Sequence, residues 1–177
     1  MIHPLADVQT DKIGEGTRIW QFCVVLPDVE IGSNCNVCAH VLIENGVKVG
    51  NNVTLKSGVQ LWTGLEVEDN VFIGPNATFT NDHAPRSGQH PDKYLETRIC
   101  RGASVGANAT ILCGITIGEN AMTGVGSFVT KDVSYNTVWY GNLAMLKGYI
   151  VSDKCITPIG HDIDSGGGFR ILYSQAS

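Results

Sequence analysis

The chain has little positive charge, no long apolar run and no second pair of metal-spaced cysteines, and each shortfall removes a class of function. Lysine and arginine number 12 against 17 acidic residues over 177 positions, a net charge of −5 with pI ≈ 5.4. Nucleic acid and anionic membrane surfaces are poor general partners for such a balance. No run of 18 apolar residues occurs, so no transmembrane helix is expected. Residues 1–7 lack the basic and apolar regions of a signal peptide, which leaves the cytoplasm as the expected location. Of six cysteines, only Cys35 and Cys38 stand at a metal-like spacing, and a zinc site needs more ligands than that. The cysteines are expected to be reduced and structural, and no metal is expected. No Ser-His-Asp pattern is visible, and the five histidines are too scattered for a three-histidine metal centre.

What is present is a strict period. From Ile13 every sixth residue is apolar, twelve times running: Ile13, Ile19, Val25, Ile31, Val37, Ile43, Val49, Leu55, Leu61, Val67, Ile73 and Phe79. At 43% hydrophobic residues a chance run of that length is about one in 25,000. Four residues after each of the first eleven comes a second small or apolar residue, as in Thr17, Cys23, Val29 and Cys35. Neither a helix nor a half-buried strand repeats every six residues; a short fixed repeat means a solenoid, and a hexad means a parallel β-helix. Three hexads make one triangular coil, so residues 18 apart stack in a column. Glycine, asparagine and aspartate between the apolar positions suit corners with positive φ.

The pattern stops after Phe79. Residues 80–98 are polar, carry two prolines and have no period; the repeat resumes at Ile99, out of phase, through Val105, Ile111, Ile117, Thr123 and Val129. A long loop inside a compact repeat is usually functional. The expected organisation is one all-β unit over 1–142 with an extruded loop at 80–98. Residues 1–12 would form an irregular capping coil. Segment 143–177 would hold a short helix near 143–150 and a tail with Gly166-Gly167-Gly168.

The hexads, the loop and the ending Val129-Thr130-Lys131-Asp132-Val133 followed by Gly141-Asn142-Leu143-Ala144 resemble the hexapeptide-repeat acyltransferases. Within that family, Leu61-Trp62-Thr63-Gly64, the run from Val71 to Asp82, Pro85-Arg86-Ser87 and the run from Gly102 to Ile111 are similar to enzymes that acetylate 3-amino-sugar nucleotides. The resemblance covers residues 5–150. It implies a left-handed parallel β-helix, a homotrimer with sites between subunits, and acetyl-CoA as cosubstrate. It also implies a nucleotide-linked 3-amino-deoxysugar as acceptor, for envelope or S-layer glycan synthesis. Leu143 stands where the family usually has proline. Some relatives carry a fused ketoisomerase domain, which is not expected within these 177 residues.

Acetyl transfer to an amine needs a neutral nitrogen held against the thioester carbonyl and a donor for the developing oxyanion. Asn81 and Asp82 open the loop; Asn81 is the candidate to orient the amine or the thioester, and Asp82 to accept a hydrogen bond from the substrate amine or position a neighbouring base, the alternative for each being an Asx cap at the loop start. His83, beside them, is the candidate general base. Arg86 and Lys93 on the loop suit the diphosphate. Trp62 and Tyr94 suit stacking on a base or sugar, Trp62 equally a subunit contact, and Glu44 a polar contact to the sugar or a neighbour. His40, at an outward corner, could reach a neighbouring subunit's site. Gly102, Ala103, Ala121 and Gly126 would keep backbone close to CoA, and Lys131 and Lys147 would meet its phosphates. The competing readings are an O-acetyltransferase or another acyltransferase on the same fold, and a non-enzymatic β-helix scaffold. A serine acetyltransferase would carry an N-terminal helical domain, and an ice-binding face would need threonine ladders.

Overall fold

Each hexad becomes the same local structure. In the computed structural model, which describes residues 1–152 and 155–159, the apolar residue and the one before it form a two-residue strand. The next three residues turn the corner, and the small residue in the fourth place points back inside. The third corner residue takes positive φ almost everywhere, and it is asparagine or glycine in nearly every coil, as at Asn34, Asn52, Asn70 and Gly58. Asparagine and glycine enter this region at least cost, which is why these residues punctuate the sequence at a period of six.

The strands stack into three parallel faces. The first face runs from Arg18–Ile19 through Asn36–Val37, Thr54–Leu55, Phe72–Ile73, Ser104–Val105 and Met122–Thr123 to Thr137–Tyr140. The second runs from Asp7–Val8 through Val24–Val25, Leu42–Ile43 and Gln60–Leu61, and continues in Thr78–Phe79, Thr110–Ile111 and Phe128–Val129. The third runs from Glu30–Ile31 through Lys48–Val49, Leu65–Val67 and Thr97–Ile99 to Thr116–Ile117. The expected 18-residue register holds, as in Val37↔Leu55 and Ile43↔Leu61. The core is therefore a column: Ile19, Val37, Leu55, Ile73 and Val105 stack on one side, Val25, Ile43, Leu61, Phe79 and Ile111 on another, all essentially without solvent exposure. No helix occurs among the described residues. Residues 1–12 do form a first coil, with Ile2 bridged to Ile19 and Ile13 to Ile31.

The loop interrupts the sequence without interrupting the column. Val67 pairs with Ile99, 32 positions on, where Val49 pairs with Val67 over 18, so fourteen residues are extra. They leave at the corner between the second and third faces. Strand structure resumes at Thr97, so the loop proper is 80–96.

The outward rows of the faces differ. On the third face Lys12, Glu30, Lys48, Glu66 and Arg98 alternate in sign, with Lys12–Glu30 at 3.2 Å and Arg98–Glu66 at 3.1 Å. On the second face the row after Asp7 is uncharged: Val24, Leu42, Gln60, Thr78, Thr110 and Phe128.

The short helix expected near 143–150 is not formed. Met145–Ser152 is a strand, antiparallel to Thr137–Tyr140 and to Cys155–Pro158. An eight-residue helix containing Gly148 has little stability of its own. The last parallel strand of the first face, by contrast, offers a row of unpaired backbone groups that an extended segment satisfies. Burial alternates along the strand, with Met145, Lys147 and Tyr149 outward. His161 and the Gly166–Gly168 run lie outside the described residues.

Candidate active site

The corner between the second and third faces collects most of the chemistry-bearing residues. Successive coils contribute Glu44-Asn45-Gly46, then Trp62-Thr63-Gly64, then the loop opening Thr80-Asn81-Asp82, then Leu112-Cys113-Gly114, then Thr130-Lys131-Asp132. Asn81 and Lys131 occupy the same place in coils two steps apart, about 10 Å along the axis at the strand spacing of a sheet.

Side chains of neighbouring coils fasten the loop at both ends. The Trp62 indole N–H donates to the Phe79 carbonyl at 2.9 Å, and the Cys113 backbone N–H donates to the Thr80 hydroxyl at 3.0 Å. These bonds fix the chain on the two residues before Asn81. At the returning end the Thr97 N–H donates to the Gly64 carbonyl at 2.9 Å and the Gly114 N–H to the Thr97 hydroxyl at 3.0 Å. Gly64 and Gly114 both have positive φ, +94° and +77°, and the loop lies on them. A Cβ at 64 would stand 2.8 Å from the Leu95 carbonyl oxygen and 3.3 Å from the Tyr94 Cβ; one at 114 would touch Leu95 at 3.5 Å and His83 Nε2 at 3.9 Å.

Asn81 and Asp82 are half-buried at the loop root and His83 is exposed, its ring leaning over the Gly114 corner. Asp82 accepts the Ala84 N–H at 2.8 Å, an Asx turn that shapes the loop start. Glu44 accepts the Thr63 N–H at 2.7 Å, so its carboxylate already serves the corner. Trp62 is half-buried with its N–H occupied, which makes it a fastener of the loop root. Arg86 and Lys93 sit on the exposed limb: the Arg86 guanidinium donates to the Pro85 carbonyl at 2.8 Å, and Lys93 pairs with Glu96 at 3.1 Å. Tyr94 is half-buried over Gly64.

The residues expected to hold CoA are not brought together in one chain. Gly102, Ala103 and Ala121 lie at the corner between the third and first faces, and both alanines are wholly buried in the column. Gly102 has no room for a Cβ because the Asn120 carboxamide stands against it. Gly126 lies at the corner between the first and second faces, exposed, with nothing within 4 Å of where a Cβ would be. Lys131 is on the loop corner with its ammonium 5.3 Å from the Trp139 ring centre, and Lys147 on the terminal strand is 5.7 Å from that of Tyr140. Sequence reasoning missed Trp139, Gly114 and the two threonine fasteners. Gly114 was legible as a positive-φ slot; the others need the register across the loop. The open concavity of about 500 Å³ on the third face is bordered by Glu30, Glu66, Glu68 and Asp69 with Lys48 and Arg101 and lies away from the loop. No group of three or more histidine, cysteine or acidic side chains is placed to hold a metal ion among the described residues.

Residues 12–45 match the family model for the bacterial transferase hexapeptide (six repeats), and residues 97–131 that for the hexapeptide repeat of succinyl-transferase. The chain is 53% identical over 149 residues to the dTDP-3-amino-3,6-dideoxy-alpha-D-galactopyranose 3-N-acetyltransferase of Aneurinibacillus thermoaerophilus, covering 84% of this chain and 78% of that protein. It is 36% identical over 87 residues to the galactoside O-acetyltransferase of Lactococcus lactis, covering 45% and 40%. Two solved structures share the fold. One is a GDP-perosamine N-acetyl transferase of Caulobacter crescentus with CoA and GDP-perosamine (TM-score 0.59, 22% identity, 75% of this chain and 56% of that one). The other is AntD, an N-acyltransferase of Bacillus cereus with dTDP and coenzyme A (TM-score 0.55, 18% identity, 84% and 83%).

Proposed function

The chain belongs to the hexapeptide-repeat acetyltransferases, and on that footing we propose that it moves an acetyl group from acetyl-CoA to the 3-amino group of a dTDP-linked 3-amino-3,6-dideoxyhexose. The observation that carries the acceptor is the 53% identity to a 3-N-acetyltransferase over most of both chains. The much shorter match to the galactoside O-acetyltransferase, under half of each chain, makes a hydroxyl acceptor the weaker reading.

The neutral amine attacks the thioester carbonyl. The C–N bond forms, the C–S bond breaks, and the proton lost from nitrogen ends on the CoA sulfur, so no proton is consumed overall. The protein's part is placement. Asn81, on a chain fixed by Trp62 and Thr80, orients the amine or the thioester; His83, over Gly114, stands where it can take the proton; Lys131 meets the anionic end of CoA two coils away. Arg86 and Lys93, whose bonds to Pro85 and Glu96 stay within the exposed loop, meet the diphosphate.

The working unit in this proposal is a homotrimer in the cytoplasm. The outward rows of the first face beyond Arg18 and of the second beyond Asp7 are both uncharged, but of the two faces that meet at the loop corner only the second is, and turning it to a threefold axis leaves the alternating charges of the third face in water, where exposed ion pairs are at home. That arrangement sets the loop corner of one subunit against the opposite edge of the next subunit's second face. It also brings Lys131 of one copy near Gly126 of another, which no single chain does. The test is free-thiol release from acetyl-CoA with dTDP- and UDP-linked 3- and 4-amino sugars, with light scattering on the same sample. Turnover confined to a 3-amino-deoxysugar is expected. Silence across the panel, or a monomer that turns over normally, would refute the acceptor or the shared site respectively.

A further inference from the structure

Two coils break the rule of the corners. Where the first face turns into the second, the positive-φ residue is Gly58, Asn76, Asn108 and Gly126 in the later coils, but Phe22 and His40 in the two coils that follow the capping coil, at φ 61° and 63°. Histidine enters this region more readily than most residues, but a phenylalanine here is a backbone outlier that costs on the order of 1 kcal/mol, and such outliers persist where something else requires them. Their rings do not turn inward. Phe22 is 52% exposed and His40 is exposed, and the two stack with centroids 5.1 Å apart and planes at 25°. The stack ends there, because the next residue in the row is Gly58. The chain thus accepts strain at Phe22 to hold a flat aromatic pair in water.

The position of the pair says what it is for. It stands on the edge of the uncharged second face opposite the loop corner, so in the proposed trimer it faces the loop corner of the adjoining subunit. Along the axis it lies two to three coils, about 10–14 Å, toward the N-terminus from the loop root, while Lys131 lies on the other side of that root. Acetyl-CoA approaching from the Lys131 side leaves the N-terminal side for the acceptor. In a nucleotide sugar a ribose and two phosphates separate the base from the hexose, so a base held away from the reacting amine belongs at such a remove. We infer that Phe22 and His40 form the platform on which the pyrimidine base of the nucleotide-linked acceptor stacks, supplied to each site by the neighbouring subunit. This rests on the function proposed above and adds a specificity-determining site to it.

The sequence itself supplies the test substitution. Asparagine fills this slot in other coils, so Phe22→Asn and His40→Asn remove a ring while relieving the backbone. The variants are expected to keep the trimer and melt no lower than the parent. Base–aromatic stacking predicts a rise in KM for the dTDP-amino sugar of about 5- to 150-fold in the double variant, with kcat and KM for acetyl-CoA unchanged. Binding of dTDP alone, followed by calorimetry, should weaken in parallel. That readout does not depend on turnover, so an inactive parent refutes the acceptor proposal while the calorimetry still judges the platform. Unchanged dTDP affinity in the double variant would overturn the inference, as would loss of the trimer, which would make the pair a subunit contact.

Discussion

Gly46 and Gly64 form a matched pair that isolates the contact between loop and column. They occupy the same corner in successive coils, both at positive φ (+72° and +94°). Alanine at either position takes on the left-handed penalty, about 1–2 kcal/mol. At Gly46 nothing lies within 4 Å of the new Cβ, so that is the whole cost. At Gly64 the Cβ meets the Leu95 carbonyl oxygen at 2.8 Å and Tyr94 Cβ at 3.3 Å, and the first of these is backbone that cannot simply swing away. Overpacking of this kind adds about 1–3 kcal/mol. Urea unfolding at fixed protein concentration should therefore place Gly64→Ala below Gly46→Ala by that increment. The same displacement moves the returning limb, and with it the loop over Gly114, so kcat should drop about ten- to a hundred-fold in Gly64→Ala only. Equal destabilisation and equal kcat in the two variants would mean that the limb does not rest on Gly64, and the account of how the loop is held would be wrong.

Trp62→Phe keeps the ring and removes the N–H from the Phe79 carbonyl; a loss of about 1 kcal/mol and a lower kcat with unchanged KM for acetyl-CoA are expected from melting and steady-state kinetics. The Thr123 hydroxyl is buried in the first-face stack with no hydrogen-bond partner among the described residues. Thr123→Val should therefore stabilise by about 1–2 kcal/mol, and a lower melting temperature would show that the hydroxyl is bonded. Burial raises the thiol pKa values of Cys23 and Cys35. The unfolded chain therefore ionises them first: stability is level below the ordinary thiol range and falls as pH climbs through it, by up to about 1.4 kcal/mol per pH unit for each thiol. Urea titrations at pH 7.5 and 10 on the parent and a Cys23→Ala, Cys35→Ala variant check the slope. His83→Asn should lower kcat with little change in KM for acetyl-CoA in steady-state kinetics, and unchanged kinetics would remove His83 from the proton's path.

The column was legible because one rule, repeated, writes it. Every sixth residue is buried, so Ile19 through Phe79 announce both the strands and their stacking, and asparagine or glycine in the third corner place announces the turn. The loop was legible as the place where that rule lapses. What resisted reading depends on contacts between segments far apart in sequence. Thr80 and Thr97 look like ordinary polar residues until Ile99 is set in the slot after Phe79, which brings Cys113 and Gly114 beside them. Trp62 read as a stacking surface or a subunit contact; its bond to the Phe79 carbonyl, 17 residues away, carries no mark in the sequence. The segment after Leu143 misled because its spacing of apolar residues satisfies a helix locally, whereas an open strand edge decides its conformation. Gly102, Ala103, Ala121 and Gly126 were grouped by residue type, but the threefold path of the chain assigns them to two different corners.

The fourteen additional residues enter and leave at one corner, and Ile99 takes the place in the column that the next hexad would have filled. Nothing above or below registers their number. Selection can therefore lengthen, shorten or rewrite this segment with the scaffold held constant, and an acceptor preference can be lost or gained without passing through an unfolded intermediate design. The column of hexads keeps its register on both sides of the loop; in the function proposed above, the acceptor is free to change in a stretch whose length the repeat does not count.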